Sequence, residues 1–132
     1  MPFPIDEKYI KQTELELGVI FPSSFTEKMR IKNGGEILIT NNDWLIHPFF
    51  DKKDKKRISR TSNHIGYETK EAKKWKGFPK NCIVIGSDSY GNKLILRPGI
   101  LNKKKLKDTV YEWNHETGET KKLKKSISEL LK

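Results

Sequence analysis

Two short apolar runs on either side of a glycine-containing polar segment constrain the fold of this chain more than any other feature. Residues 82–85 and 94–96 are rich in branched side chains, and the segment between them carries Gly86 and Gly91. A phosphate-binding loop would run from its last glycine into a helix. Here the segment runs into Leu-Ile-Leu, which is a strand pattern. The residues therefore predict a β-hairpin rather than a nucleotide site.

The apolar character of this hairpin also predicts where it lies. Consecutive apolar residues put apolar side chains on both faces of each strand, which is typical of strands in the middle of a sheet with other elements packed on each side. The glycine and polar residues between such strands are expected to form turns, because glycine adopts positive φ without strain and the side chains of Asp and Asn hydrogen-bond to the turn backbone. The residues assigned to turns, in this hairpin and in a helix-to-strand turn before it, are Gly34, Gly35, Gly86, Asp88, Gly91 and Asn92.

The N-terminal part of the chain predicts two helices. Asp6 can cap the first helix, and Gly18 can end it in the left-handed conformation. Ser24 and Glu27 have the spacing of a capping box at the start of a second helix. The other predicted segments are strands at 36–40, 44–47, 110–114 and 119–121, turns at 41–43 and 115–118, one or two surface helices between 58 and 76, and a closing helix through Leu123, Ile127, Leu130 and Leu131.

The charge of the chain is uneven. Its 27 basic and 17 acidic residues give a net charge of +10, and residues 49–132 alone carry 22 basic and 10 acidic residues. Such a segment favours anionic partners, which include nucleic acid, acidic protein surfaces and anionic lipid. Trp75, between Lys74 and Lys76, could stack on bases, although an aromatic residue at helical spacing from Ala72 is more often part of a core. Nucleic-acid binding through the lysine-rich 49–132 segment is therefore the alternative function.

No residue pattern points to catalysis, a metal or a cofactor. The histidines at 47, 64 and 115 lack the close spacing of zinc ligands, and we expect them to be exposed or singly hydrogen-bonded. Cys82 lies among apolar residues, which disfavours its thiolate. The acidic residues show no spacing that singles out a hydrolytic pair. We expect no catalytic, metal-binding or cofactor-binding residues.

The length and the ends of the chain predict one domain over residues 1–132. The first residues lack a charged segment followed by an apolar one, and no stretch approaches the ~20 apolar residues of a membrane helix. We expect a cytoplasmic protein without a membrane partner. The oligomeric state stays open.

Two turn regions are candidate contacts for a partner protein, because each puts an aromatic residue beside small polar residues. Local packing explains the same composition equally well, so both interpretations stay open. The candidate contact residues are Asn42, Asp43, Trp44, Tyr90 and Glu116.

The order of these landmarks resembles the SUKH superfamily, the Smi/Knr-type proteins. The resemblance lies in residues 17–25, Leu-Gly-Val-Ile-Phe-Pro-Ser-Ser-Phe, the Asn-Gly-Gly turn at 33–35, the hairpin at 83–92, the strand and turn at 110–116 and the helical residues 127–131. It implies an α+β fold with a largely antiparallel central sheet and no catalysis. It also implies a bacterial immunity protein that binds and neutralises a toxin domain stoichiometrically.

The resemblance raises a question about charge. Inhibitors of nuclease toxins are usually acidic, whereas this chain is basic. One alternative is a local acidic patch formed by Glu36, Asp43, Asp51, Asp88, Glu112 and Glu116. The other is a toxin that is itself acidic or is not a nuclease.

Overall fold

The computed structural model describes residues 2–39 and 41–131, so residues 1, 40 and 132 of the predicted domain lie outside the described residues. The helices are α1 (Glu7–Leu17), α2 (Ser23–Ile31), α3 (Lys55–Arg60), α4 (Ile65–Ala72) and α5 (Ile127–Leu130). The strands are β1 (Gly35–Ile39), β2 (Asn42–Ile46), β3 (Ile83–Asp88), β4 (Lys93–Pro98), β5 (Leu106–Trp113) and β6 (Thr120–Ser126).

The strands form one six-stranded sheet in chain order, and every neighbouring pair is antiparallel. The prediction of an α+β fold with a largely antiparallel sheet is confirmed. In such an arrangement the connections β1–β2, β3–β4 and β5–β6 all lie at the same end of the sheet, while β2–β3 and β4–β5 connect at the other. Three hairpin turns are therefore neighbours in space although they are far apart in sequence.

Apolar side chains cover both faces of the central strands. Leu94 and Leu96 belong to a large core with residues of α1, α2 and α5, whereas Ile95 belongs to a second cluster with Ala72 of α4 and with Trp113. Successive residues of a strand face opposite sides of the sheet, so the two clusters lie on its two faces. The prediction that the hairpin is central and packed on both sides is confirmed.

The first helix follows its sequence signals, and the second departs from them. The Asp6 carboxylate accepts a hydrogen bond from the Lys8 amide, and Gly18 ends α1 at φ 70°. The predicted capping box of Ser24 and Glu27 is wrong, because α2 begins at Ser23 after Pro22 and has no side-chain cap. The Pro22 carbonyl accepts hydrogen bonds from the Phe25 and Thr26 amides. Pro22 is the N-cap, so the helix begins two residues earlier than a capping box at Ser24 would place it.

The β1–β2 and β3–β4 hairpins are tighter than predicted. Asn42 and Asp43 lie in β2 rather than in a turn, and Thr40, the last residue of the predicted first strand, lies outside the described residues. Gly86 is also not in a turn: it lies inside β3, next to a register shift. A Cβ at Gly86 would lie 3.0 Å from the Leu45 carbonyl oxygen, so this glycine permits a close approach of β2.

The closing helix is shorter than predicted. Residues from Thr120 to Ser126 form β6, which pairs with β5, and only Ile127–Leu130 is helical. Leu123 packs against the main core from this strand. The hydrogen-bonding groups along β5 stabilise an extended partner here, so tertiary pairing overrides the helical spacing of the leucines.

Candidate interaction surface at the hairpin end

The three neighbouring turns form one surface, which we call the hairpin end: residues 41–43, 89–92 and 114–118. It brings together four of the five predicted contact residues. Asn42 and Asp43 begin β2, Tyr90 is in the β3–β4 turn, and Glu116 is in the β5–β6 turn. The side chain of Tyr90 is 70% exposed.

A turn cluster of Asn42, Asp88, Asn92 and His115 organises this surface. One carboxylate oxygen of Asp88 accepts from the backbone amides of Tyr90 at 3.0 Å and Asn92 at 2.8 Å. The other accepts from the side-chain amides of Asn42 and Asn92, both at 3.2 Å. Four donors converge on one carboxylate, so Asp88 has a structural role in shaping the turn.

The same cluster connects the second turn to the third. The Asn92 side-chain oxygen accepts from the His115 backbone amide at 3.4 Å and lies 3.2 Å from Nδ1 of its ring. Gly91 adopts φ 91°, and a Cβ there would lie 3.1 Å from the His115 ring. Only glycine satisfies both conditions without strain. The arrangement holds the β3–β4 and β5–β6 turns in one fixed geometry.

Trp44 does not belong to this surface, so its prediction as an exposed contact is wrong. It is 3% exposed and packs in the main core. Trp44 shares a face of β2 with Ile46, two residues along the strand, and that face is covered by helices. The sequence alone could not show which face of this strand would be buried.

Trp75, for which the sequence favoured core packing over base stacking, is only partly buried. It is 42% exposed, and its ring centroid lies 5.9 Å from that of Trp113 and 5.2 Å from that of His115. It therefore extends the hairpin end beyond the predicted residues. The signal in the sequence was its position between two lysines, which is unusual for a fully buried side chain.

The six acidic residues considered above do not form one patch. Asp51 is buried, 3.4 Å from the Arg57 guanidinium, and the Asp88 carboxylate is occupied by the turn. Glu36 lies near the start of β1, toward the opposite end of the sheet. Asp43 and Glu116 are the exposed carboxylates that the hairpin end presents.

Sequence reasoning missed a second polar group, the His47 cluster of His47, Glu68, Ser87 and Lys93. Nε2 of His47 lies 2.8 Å from the Ser87 hydroxyl and 3.6 Å from a Glu68 carboxylate oxygen. The Lys93 ammonium is 3.1 Å from the Ser87 hydroxyl and 3.7 Å from the same Glu68 oxygen. These residues come from four separate segments of the chain, so no spacing in the sequence indicated them.

The geometry of the His47 cluster does not fit a nucleophilic relay. In such a relay the carboxylate and the hydroxyl bind opposite nitrogens of the imidazole. Here both approach Nε2, and Nδ1 is buried without a hydrogen-bond partner among the described residues. Burial, and secondarily the Lys93 charge, lower the pKa of His47 to about 4. The ring is neutral at pH 7, so its contact with Glu68 is not an ion pair.

The remaining reactive side chains have structural surroundings. Cys82 is buried, and burial raises the pKa of its thiol, which opposes nucleophilic reactivity. Nδ1 of His64 accepts from the Tyr67 amide and so caps α4. The expectation of exposed or singly hydrogen-bonded histidines is met at His47 by the second alternative, because this ring is 3% exposed and its hydrogen-bond contact is to Ser87. In residues 2–39 and 41–131, no three His, Cys, Asp or Glu side chains are grouped to hold a metal ion.

The family of the chain follows from its sequence and agrees with this fold. Residues 4–132 match the SMI1 / KNR4 family (SUKH-1). The chain belongs to the SUKH-1 family. No curated protein and no solved structure matches it. None of the described helices is long and apolar enough to cross a membrane.

The Asn-Gly-Gly turn at 33–35, one of the stretches that resemble the family, has a structural role. The Asn33 side chain donates to the Phe49 carbonyl at 2.9 Å and accepts from the Phe49 amide at 2.8 Å, both buried. A Cβ at Gly34 would lie 2.6 Å from the Ile46 carbonyl oxygen. These residues and the turn cluster stabilise backbone geometry.

Proposed function

We propose that this SUKH-1 protein is a non-catalytic binding domain that neutralises a toxin domain in the bacterial cytoplasm by forming a stoichiometric complex. The observation that carries the proposal is the family match over residues 4–132. The geometry of the His47 cluster supports an absence of catalysis, because its hydroxyl and carboxylate compete for one nitrogen. No cofactor is needed for a function of this kind.

The hairpin end is the surface that we propose for toxin binding. Its turns are held by hydrogen bonds, so an exposed aromatic residue there loses little conformational freedom on binding. Tyr90 is the side chain best placed as an anchor, since exposed aromatic residues contribute strongly to interfaces. Asp43 and Glu116 supply negative charge on this otherwise basic protein.

The test is purification of the protein with the toxin domain encoded by the adjacent reading frame. We expect an equimolar complex and growth protection of cells that express the toxin. Tyr90→Ala should weaken the affinity by about tenfold or more, as loss of an interface anchor does. Absence of a complex together with absence of protection would overturn the proposal.

A matched control separates loss of contact from loss of folding. Leu101 is fully exposed in the β4–β5 connection, at the opposite end of the sheet. Leu101→Ala should leave the affinity unchanged. Equal weakening by both substitutions would remove the hairpin end as the binding surface, even if the toxin complex forms.

Nucleic-acid binding is the second candidate, and a basic region of the sheet favours it. The exposed Arg97 guanidinium lies 5.0 Å from the Tyr111 ring centroid, and Lys122 pairs with Tyr111 across the β5–β6 ladder. Retention on duplex DNA and RNA at physiological salt, falling steeply at higher salt, would support this function. No retention at moderate salt would remove it.

A further inference from the structure

The connection between β4 and β5 exposes two adjacent apolar side chains. Ile100 is 81% exposed, and Leu101 is fully exposed. Single exposed apolar residues are ordinary in a globular protein, whereas contiguous ones often mark an interaction site. This pair lies at the end of the sheet opposite to the hairpin end, so the surface proposed for toxin binding does not include it.

The turn that carries this apolar pair is closed by its own backbone. The Gly99 amide donates to the Lys105 carbonyl at 2.7 Å, and the Lys105 amide donates to the Asn102 carbonyl at 3.1 Å. A Cβ at Gly99 would lie 2.9 Å from both of these carbonyl oxygens, so glycine permits the closure. The Asn102 side chain also accepts from the Lys104 amide at 3.0 Å. The exposure of the apolar pair is therefore built into a defined turn.

The charge around the pair is positive. The β4–β5 segment, which we define as residues 97–107, contains no acidic residue and five basic ones, Arg97, Lys103, Lys104, Lys105 and Lys107. The first four of these side chains are exposed. Asp108, the next residue, is the nearest carboxylate along the chain. The apolar pair is therefore flanked by basic side chains on both sides in the sequence.

The neighbouring helix limits the surface to this segment. Ile20 pairs with Lys105 at the base of the turn and is 48% exposed. Beyond it, Leu15 of α1 is 82% exposed, but Glu14 and Glu16 flank it in the chain, and Glu14 lines the same groove as Leu15. Negative charge there opposes an anionic partner. The candidate surface is therefore the β4–β5 segment with Ile20 at its base, and it excludes α1.

The composition of the β4–β5 segment favours lipid over the other anionic partners. Protein interfaces are enriched in aromatic residues and depleted of lysine, and single-stranded nucleic acid stacks its bases on aromatic side chains. Residues 97–107 contain no aromatic residue. A bilayer surface fits this composition, because aliphatic side chains enter the boundary between headgroups and acyl chains while lysines remain beside anionic headgroups.

We propose that the β4–β5 segment binds the anionic surface of a lipid bilayer, with Ile100 and Leu101 inserted among the headgroups and the lysines at 103–105 beside the phosphates. The defined turn reduces the conformational freedom that is lost on binding. The sequence-based expectation of no membrane partner rested on the lack of a spanning segment, and peripheral binding requires none. The inference does not depend on toxin binding, which we assign to the other end of the sheet.

The direct test is cosedimentation of the protein with lipid vesicles at physiological salt. Vesicles of equal parts phosphatidylcholine and phosphatidylglycerol, the mixed vesicles, should bind the protein saturably. Vesicles of phosphatidylcholine alone should bind it at least about tenfold more weakly, because they lack anionic headgroups. Absence of binding to the mixed vesicles, or equal binding to both kinds, would overturn the inference.

A double substitution tests the inserted side chains. Ile100→Ser with Leu101→Ser should weaken binding to the mixed vesicles by at least about tenfold, since each buried methylene contributes to partitioning. Ile31→Ser with Leu38→Ser is the matched control, because it changes the same two residue types where they are 75% and 67% exposed, away from the β4–β5 segment. The control should change the affinity by less than about twofold. Equal losses in both variants would contradict the inference.

A second pair of variants tests the position of the charge. Lys103→Gln with Lys104→Gln should weaken binding to the mixed vesicles by about tenfold or more. Lys121→Gln with Lys122→Gln removes the same charge from β6 and should weaken it by less than about threefold, because the attraction falls off within a Debye length. Equal losses would mean that net charge alone drives binding, which would overturn the inference.

The remaining outcomes separate lipid binding from the other functions. Undiminished vesicle binding by the double serine variant of the β4–β5 segment would show a purely electrostatic association, and the inference would be wrong. Retention on duplex DNA without binding to the mixed vesicles would also overturn it. If the mixed vesicles bind the protein but no toxin does, the proposed function fails while this inference stands. Circular dichroism verifies that each variant remains folded.

Discussion

The turn cluster around Asp88 and the His47 cluster meet at adjacent residues of β3, and they satisfy their polar groups to very different degrees. Both oxygens of the Asp88 carboxylate receive two donors each at 2.8–3.2 Å. In the His47 cluster, one imidazole nitrogen meets two groups and the other meets none among the described residues. The first cluster is at the boundary with solvent, while the second is beneath α4.

This difference shows that a polar side chain can stabilise or destabilise the folded state, depending on how many of its hydrogen-bonding atoms have partners. A saturated carboxylate stabilises a turn, because each donor that it accepts would otherwise need water. A buried imidazole with an unpaired nitrogen costs free energy, and it also resists protonation beside a lysine. The turn cluster therefore stabilises the hairpin end, whereas the His47 cluster makes stability depend on pH.

The strongest test of this comparison is Asp88→Ala. Loss of four hydrogen bonds to a carboxylate should reduce the free energy of unfolding by about 4 kcal/mol, even with partial rehydration of the donors. Urea denaturation measures this change. Asp43→Ala, which removes an exposed carboxylate of the neighbouring strand, should change it by less than about 0.5 kcal/mol. Similar losses in both variants would show that the turn cluster has no special role.

A pH series tests the opposite property of the His47 cluster. The pKa of His47 is lowered from 6.5 to about 4 in the folded protein, so the unfolded chain takes up a proton first as the pH falls. The stability that depends on the neutral ring is complete above pH 6.5 and is lost between pH 6.5 and 4. The loss should reach about 3 kcal/mol.

His47→Gln provides the matched measurement, because glutamine does not titrate. Its free energy of unfolding should be lower than that of wild type at pH 7 but should fall less between pH 6.5 and 4, the range set by the two His47 pKa values. Denaturation curves at several pH values measure both slopes. Parallel slopes for the two proteins would contradict a role of His47 in acid sensitivity.

The smallest expected effect is a shift in the His47 titration caused by Lys93→Met. Lys93 lowers the pKa of His47, although less than burial does. Removing its charge should raise the pKa of His47 and should leave it below 6.5, because burial is the larger cause. NMR titration of the ring protons measures this shift. A return to the ordinary value would mean that charge, not burial, is the main cause.

Several elements were predictable because their signals are local. Asp6 and Gly18 delimit α1 since a capping carboxylate and a left-handed glycine act within one helical turn. The hairpin at 82–96 was predictable because the apolar residues 94–96, which follow the segment with Gly91, have the pattern of a strand and not of a helix. The family landmarks were recognisable for the same reason, as they are short stretches with backbone roles.

The predictions that were wrong concern residues whose structure depends on contacts between distant segments of the chain. The sequence could not show that pairing with β5 would keep the segment around Leu123 in a strand. It also could not show that the backbone of β2 would approach Gly86 too closely for a side chain there. Trp44 was assigned to the surface because its turn neighbours are polar, but the helices packed on β2 bury it. The His47 cluster draws on four separate segments of the chain, and its members have no shared spacing.

The sequence by itself determined the order of helices and strands, the central position of the hairpin and the excess of positive charge, because apolar periodicity, turn residues and charge are properties of adjacent residues. Only the tertiary structure decided which turns share one end of the sheet, which aromatic side chains remain exposed and which strands form its edges. Those properties depend on antiparallel pairing and on packing between segments far apart in the chain, and such contacts leave no fixed spacing in a single sequence.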